Sequence, residues 1–309
     1  MAVLASIIPI FAVIALGVWG ARKGFFPPGF VGPANRLTYY LAIPALVLRS
    51  MAKAPLDQAF QPWPALVALA AMVAVWGLAV WLSGRLYGPD PAQGPRRASF
   101  IQGAVHGNQA QLGFAVIFYA LGDAGLNTAL IIAAVVIIGQ NLLSVLSFTF
   151  WGGGGRVQAA NPVKAVLFNP IIAVTLAGLA FPILGVKLPE VVDRTLGILG
   201  NLGLPLALLI IGAKLSEGKL GGRWWELGLI SFVKLLALPA LGWGLLSLFG
   251  LGGLPATVAV LLLSSPIATI AAVMAGELGG DALLSGQGTT LTHALSVATY
   301  SLWLLLLVN

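Results

Sequence analysis

Long apolar stretches, separated by short polar or Gly/Pro-bearing segments, run the whole length of the chain. A bilayer core of about 30 Å takes about 20 mainly apolar residues as a helix. Ten stretches fit that length, at roughly 2–20, 35–51, 64–82, 99–121, 126–151, 163–184, 191–213, 224–249, 254–277 and 284–308. In the first stretch the basic residues, Arg22 and Lys23, follow the apolar run. A signal peptide carries its charge at the other end, so a retained helix is expected.

Ten spans put both termini on one side, and the basic residues choose the side. With the termini outside, the inner loops hold Arg22, Lys23, Arg36, Arg85, Arg96, Arg97, Arg156, Lys164, Lys214, Lys219 and Arg223. The outer side keeps Arg49, Lys53, Lys187 and Arg194. Positive charge is retained on the cytoplasmic face, so both termini are expected outside.

The segment WGGGGRVQAANP, from Trp151 to Pro162, is Gly-rich, polar and central. It reads as a cytoplasmic linker, 152–162, between units at 1–151 and 163–309. An offset of 161 residues pairs Pro9 with Pro170, Gly17 with Gly178, Gly24 with Gly185, Pro28 with Pro189 and Pro44 with Pro205. Five spans per unit mean that the second copy enters the membrane from the opposite side. The predicted fold is therefore an all-α polytopic membrane protein with two inverted five-helix repeats, an architecture of secondary transporters.

Two stretches break this apolar pattern near their centres. The fourth carries His106-Gly107-Asn108-Gln109-Ala110-Gln111-Leu112-Gly113, and the ninth carries Ser264-Ser265-Pro266-Ile267-Ala268-Thr269. Polar groups facing lipid cost several kcal/mol, so these runs are expected to be buried in protein or to line a cavity. One reading of the first run is hydrogen-bonding glue between helices, and one of Pro266 is an ordinary kink. The other reading takes the matched positions as broken helices, whose half-helix N-termini offer free N–H groups to an anion. On it, Asn108, Gln109, Gln111, Ser264, Ser265, Pro266 and Thr269 bind substrate, with Gly107, Gly113 and Pro266 as the helix-breaking residues.

Other polar residues inside the apolar stretches are Lys234 in the eighth, Gln140 and Asn141 in the fifth, and Gln287, Thr289, Thr290, Thr292 and His293 in the tenth. Each is open to a packing role or to lining the same cavity. His106, Lys234 and His293 are the candidates for a proton or charge role.

Composition narrows the function. Hydrophobic residues make up 59% of the chain and charged residues 8%, against about 25% charged in soluble domains. The net charge of +7 is scattered between apolar runs, which fits topology and not a nucleic-acid partner. The absence of cysteine removes thiolate metal sites and thiol nucleophiles. No H-E-x-x-H, G-x-S-x-G or phosphate-loop pattern occurs, so no enzyme, catalytic residue, metal or cofactor is expected.

At the residues of the fourth stretch the chain resembles the auxin efflux carrier family, which includes plant auxin exporters and bacterial malonate-type permeases. Relatives carry a pattern like G-N-T-G-x-L-G-L-P. This sequence keeps Gly107, Asn108, Leu112 and Gly113, and has Gln109 for Thr, Ala110 for Gly, Phe114 for Leu and Ala115 for Pro. Pro266 is retained, as are the prolines of the second and seventh stretches. The resemblance runs nearly the full length. It implies crossed broken helices in the fourth and ninth stretches holding a small organic anion, a homodimer built on the first, second, sixth and seventh, and elevator movement of the rest. It also implies a bacterial inner membrane, with lipid and substrate as the partners. Ala115 leaves open how sharply the fourth stretch is broken.

Two other functions fit the architecture. A bile-acid-type sodium symporter usually shows acidic or Gln-rich sodium ligands inside the membrane, whereas the acids here sit at helix ends. A non-transporting ligand sensor would bind without accumulating its ligand.

Overall fold

The computed structural model describes residues 2–54, 62–153, 170–218, 220–222 and 224–308, which are helical nearly throughout and contain no β-strand. The linker from 154 onward lies outside the described residues, as do Arg156, Lys164, Lys219 and Arg223. The first half comprises α1 (Ala2–Arg22), α2 (Val31–Leu37), α3 (Ile43–Ala52), α4 (Pro62–Tyr87), α5 (Gly94–Val105) and α6 (Phe114–Trp151). Gly122, at φ 67°, divides α6. The second half comprises α7 (Pro170–Ile183), α8 (Glu190–Asn201), α9 (Gly203–Glu217), α10 (Trp224–Phe232), α11 (Leu238–Leu248), α12 (Gly253–Leu263), α13 (Ala271–Glu277) and α14 (Ala282–Leu307).

Five helical runs among the described residues are long and apolar enough to cross a membrane: Pro62–Tyr87, Gln109–Trp151, Glu190–Glu217, Trp224–Leu248 and Ala282–Leu307. Shorter apolar helices, Ser6–Arg22, Pro170–Ile183 and Gly253–Leu263, lie beside them. Large apolar side chains such as Trp63, Trp81, Leu248 and Phe249 point outward, as a protein solvated by lipid permits.

Interruptions within these rods have local causes. A π-helical turn, Thr38–Ala42, joins α2 to α3 just before Pro44, and another, Val233–Ala237, joins α10 to α11 just before Pro239. Proline lacks an N–H and its ring collides with the carbonyl four residues back, so a widened turn relieves the clash. The break between α8 and α9 likewise precedes Pro205.

The same geometry recurs 161 residues apart. After α1, Gly24 takes φ 70° and the Phe25 N–H donates to Gly20 O at 2.8 Å. After α7, Gly185 takes φ 65° and the Val186 N–H donates to Phe181 O at 2.9 Å. Both are left-handed glycine caps that take up the last helical carbonyls.

Backbone contacts repeat at that offset with their partners exchanged. Gly17 of α1 lies on α9, where an added Cβ would come 2.3 Å from Leu209 O and 3.0 Å from Gly212 Cα. Gly178 of α7 lies on α3, where an added Cβ would come 3.0 Å from Leu48 O and 2.6 Å from Met51 Cβ. Positions 17, 209 and 212 correspond to 178, 48 and 51. Ala42 and Gly203 correspond to each other, and they touch: a Cβ on Gly203 would sit 3.3 Å from the Ala42 carbonyl carbon.

Three ion pairs tie elements together toward the ends. Asp193 of α8 receives Arg49 of α3 at 2.9 Å and Lys53, just past the end of α3, at 2.5 Å. Arg96 of α5 meets the buried Glu226 of α10 at 2.6 Å. Burial opposes the Arg96 charge, but the hydrogen bond and charge of Glu226 outweigh it, so the guanidinium's pKa lies above the ordinary arginine value.

Candidate functional site

α5 stops at Val105 and helix resumes at Gln109, while α12 stops at Leu263 and α13 begins at Ala271. The two gaps cross. Gly107 and Ile267 pair as an antiparallel bridge, in which the Asn108 N–H donates to Pro266 O at 2.7 Å and the Ala268 N–H donates to His106 O at 3.1 Å. Each unwound segment thereby satisfies backbone groups that the other leaves open, as a low-dielectric interior requires. This explains why a sharp break forms at 106–108 although Ala115 stands where relatives carry proline: the opposing unwound segment, not a ring clash, holds the chain out of the helix.

Each gap is also braced by side chains of other helices. The Gln140 side chain of α6 clasps Gly107, accepting from its N–H at 2.8 Å and donating to its carbonyl at 3.2 Å. The Thr292 hydroxyl of α14 accepts from the Ile267 N–H at 3.1 Å. Lys234, fully buried in the π-helical turn, donates through Nζ to Leu263 O at 2.7 Å. That donor sits at the C-terminal end of α12, where the last carbonyls lack intrahelical partners.

Gly107 and Gly113 act here through space and not through left-handed backbone. A Cβ on Gly107 would lie 2.9 Å from Gln109 Nε2, 3.2 Å from Lys234 Nζ and 3.3 Å from Ser265 Cβ. One on Gly113 would lie 2.8 Å from Ser265 Oγ. The Tyr300 hydroxyl of α14 donates to that same Ser265 Oγ at 3.0 Å.

The helix that resumes at Gln109 presents the N–H groups of Gln109, Ala110 and Gln111 to the crossing with no backbone acceptor among the described residues. Asn108 Oδ1 has no donor there, and the buried Gln109 Oε1 has no partner among the described residues. Asn108 Nδ2 meets His293 Nε2 at 3.1 Å. Gln111 spans two elements: its Oε1 accepts from the Thr269 hydroxyl at 3.1 Å, and its Nε2 donates to Asn35 Oδ1 of α2 at 2.9 Å. His106 Nδ1 meets Ser144 Oγ at 2.9 Å, and that hydroxyl donates to Gln140 O at 2.6 Å.

The residues singled out in the two broken stretches therefore gather at one place. Asn108, Gln109, Gln111, Ser264, Ser265 and Pro266 are buried at the crossing and Thr269 is half-buried at its edge. Lys234 and His293 reach it from neighbouring helices. Asn141 does not: its amide donates to Ile137 O within α6. Ser144 and Tyr300 were missed by sequence reasoning, since nothing in their local sequence separates them from other small or aromatic residues of an apolar helix.

Cavities of about 560 and 520 Å³ lie elsewhere, the first beside Lys53, Lys187 and Asp193, the second beside Pro28, Phe30 and Leu206. Neither is lined by residues of the crossing. Among the described residues no group of acidic or histidine side chains has the arrangement of a metal site.

A family model described as "Membrane transport protein" matches residues 2–304. A "Putative malonate transporter" of Rhizobium meliloti (strain 1021) is 28% identical over 301 residues, covering 95% of this chain and 92% of its own. An "Uncharacterized transporter" of Methanothermobacter thermautotrophicus is 27% identical over 308 residues, covering 96% of each chain.

Proposed function

The chain belongs to the membrane transport protein family, that of the auxin efflux carriers, and from that premise we propose that it is a secondary carrier for a small organic anion of the malonate class. Its relatives are transporters and not enzymes. The observation that carries the reading is the crossing at Asn108 and Pro266, where two broken helices meet in the interior with N–H groups of Gln109, Ala110 and Gln111 unspent. Such groups, together with the partial positive charge of a helix start, suit a carboxylate.

The two halves form an inverted repeat of five spans each, with both termini outside and the linker inside. Supporting it are the matching caps at Gly24 and Gly185 and the exchanged contacts of Gly17 and Gly178. A repeat related by a two-fold axis in the membrane plane exchanges partners in this way. The reading extends to a homodimer through the helices bearing Pro44 and Pro205, to elevator movement and to a bacterial inner membrane, as the resemblance to the auxin efflux carriers implies.

Reconstituted into proteoliposomes, the protein is expected to accumulate labelled malonate when an ion gradient or membrane potential is imposed. Binding without accumulation under any gradient would make it a sensor. Absence of both binding and uptake, for malonate and other small carboxylates, would overturn the reading.

A further inference from the structure

Among the described residues, His293 of α14 makes the side-chain contact that fixes the Asn108 carboxamide, and the polarity of that contact follows from its neighbours. Nδ1 of His293 lies 2.9 Å from Thr289 O, a carbonyl that can only accept, so Nδ1 carries a proton. In the neutral ring Nε2 then has only a lone pair. The Asn108 atom at 3.1 Å must donate to it, which makes that atom Nδ2 and turns Oδ1 the other way. Asn108 Oδ1 has no donor among the described residues. With His293 neutral, the crossing therefore meets an incoming carboxylate with a second acceptor, and two acceptors repel.

We propose that His293 couples the site to a proton: a proton on Nε2 turns the Asn108 carboxamide over, so that anion and proton are taken up together. This rests on the reading of the crossing as an anion site and assigns its regulation. A protonated ring donates from both nitrogens. Asn108 then answers Nε2–H with Oδ1, and half a turn about its terminal torsion brings the two N–H bonds of Nδ2 to where Oδ1 had faced. No bond other than N–H forms, and the proton comes from solvent. The site changes from acceptor to donor for one proton, and by reciprocity an anion held by Nδ2 favours that proton.

Other titratable groups near α14 have partners of their own. His106 is bonded to Ser144, Lys234 to Leu263 O, Glu226 to Arg96 and Tyr300 to Ser265. Arg97 stacks over Trp151 at 4.9 Å. Arg22 and Glu277 close the ends of α1 and α13, and α12 carries no charge. Lys214 lies in the last turn of α9.

The chain has two histidines, so ring nitrogen NMR of protein labelled with ¹⁵N-histidine reads both, and a His106→Asn protein identifies the His106 signals. Without ligand, at a pH where His293 is neutral, its ring is expected as the Nδ1–H tautomer. Saturating malonate should convert it to imidazolium, with proton uptake approaching one per anion in calorimetry repeated across buffers. Oxalate, a stronger acid, checks that the proton does not sit on the ligand. Apparent affinity should fall about tenfold per pH unit above the His293 midpoint, as the competent fraction falls. In His293→Gln, whose side chain meets Asn108 in either orientation without a proton, the affinity should no longer vary with pH. Malonate binding with no proton uptake and an unchanged His293 ring would overturn the coupling and leave the carrier reading intact. No binding of either anion at any pH would overturn both.

Discussion

Lys234 Nζ donates to the Leu263 carbonyl at 2.7 Å, across a sequence separation of 29 residues, and so closes the C-terminal end of α12 where the chain leaves the helix. Replacing Lys234 by Met leaves that buried carbonyl without its donor, at a cost of about 1–3 kcal/mol. The expected outcome is a lower thermal midpoint in detergent, partly restored in Lys234→Gln. A midpoint equal to that of the unsubstituted protein would show that the end of α12 needs no donor.

The contact between α1 and α9 predicts a sharp contrast among glycines. A Cβ on Gly212 would stand 2.0 Å from Ile14 O, so Gly212→Ala must push the helices apart, at about 1–3 kcal/mol. Gly77 of α4 has no heavy atom within 4 Å of its added Cβ. Gly77→Ala should be neutral or stabilising by about 0.5–1 kcal/mol, since alanine is the better helix former. Thermal unfolding of the two proteins side by side checks both signs.

Topology can be tested in a chain that has no native cysteine. Asp90, beside the basic cluster of Arg85, Arg96 and Arg97, and Asp123, at the kink of α6, are both exposed. Single cysteines there should react with an impermeant thiol reagent from opposite sides of intact cells, Asp123→Cys from outside. Labelling of both from the same side would contradict the proposed orientation and the inverted repeat with it.

The path from sequence to site is uneven. The polar run at 106–113 and Pro266 were visible because a polar or proline-bearing segment in the middle of an apolar stretch has few physical justifications. The matching glycines at 24 and 185 were visible as a spacing, and their left-handed caps give the reason for it. What the chain could not disclose were the partners. Gln140 was one polar residue among several, and only the fold sets its carboxamide against both backbone groups of Gly107. Lys234 was open to substrate attraction or to packing, and its acceptor is a carbonyl, a group every residue carries. Ala115 in place of proline left the break uncertain because the bonds that hold it come from residues 266 and 268, far along the chain.

The central claim is that the anion is held at the crossing, and calorimetric titration of malonate into purified Asn108→Ala protein tests it most directly. Loss of a hydrogen bond to a charged group costs about 1.5–3 kcal/mol, or about 10- to 150-fold in affinity. Asn141→Ala is the control, since the Asn141 amide is spent on Ile137 O within its own helix. The account predicts malonate binding weakened by that factor in Asn108→Ala and close to unsubstituted affinity in Asn141→Ala. Full affinity in a folded Asn108→Ala protein would place the site elsewhere and contradict the account.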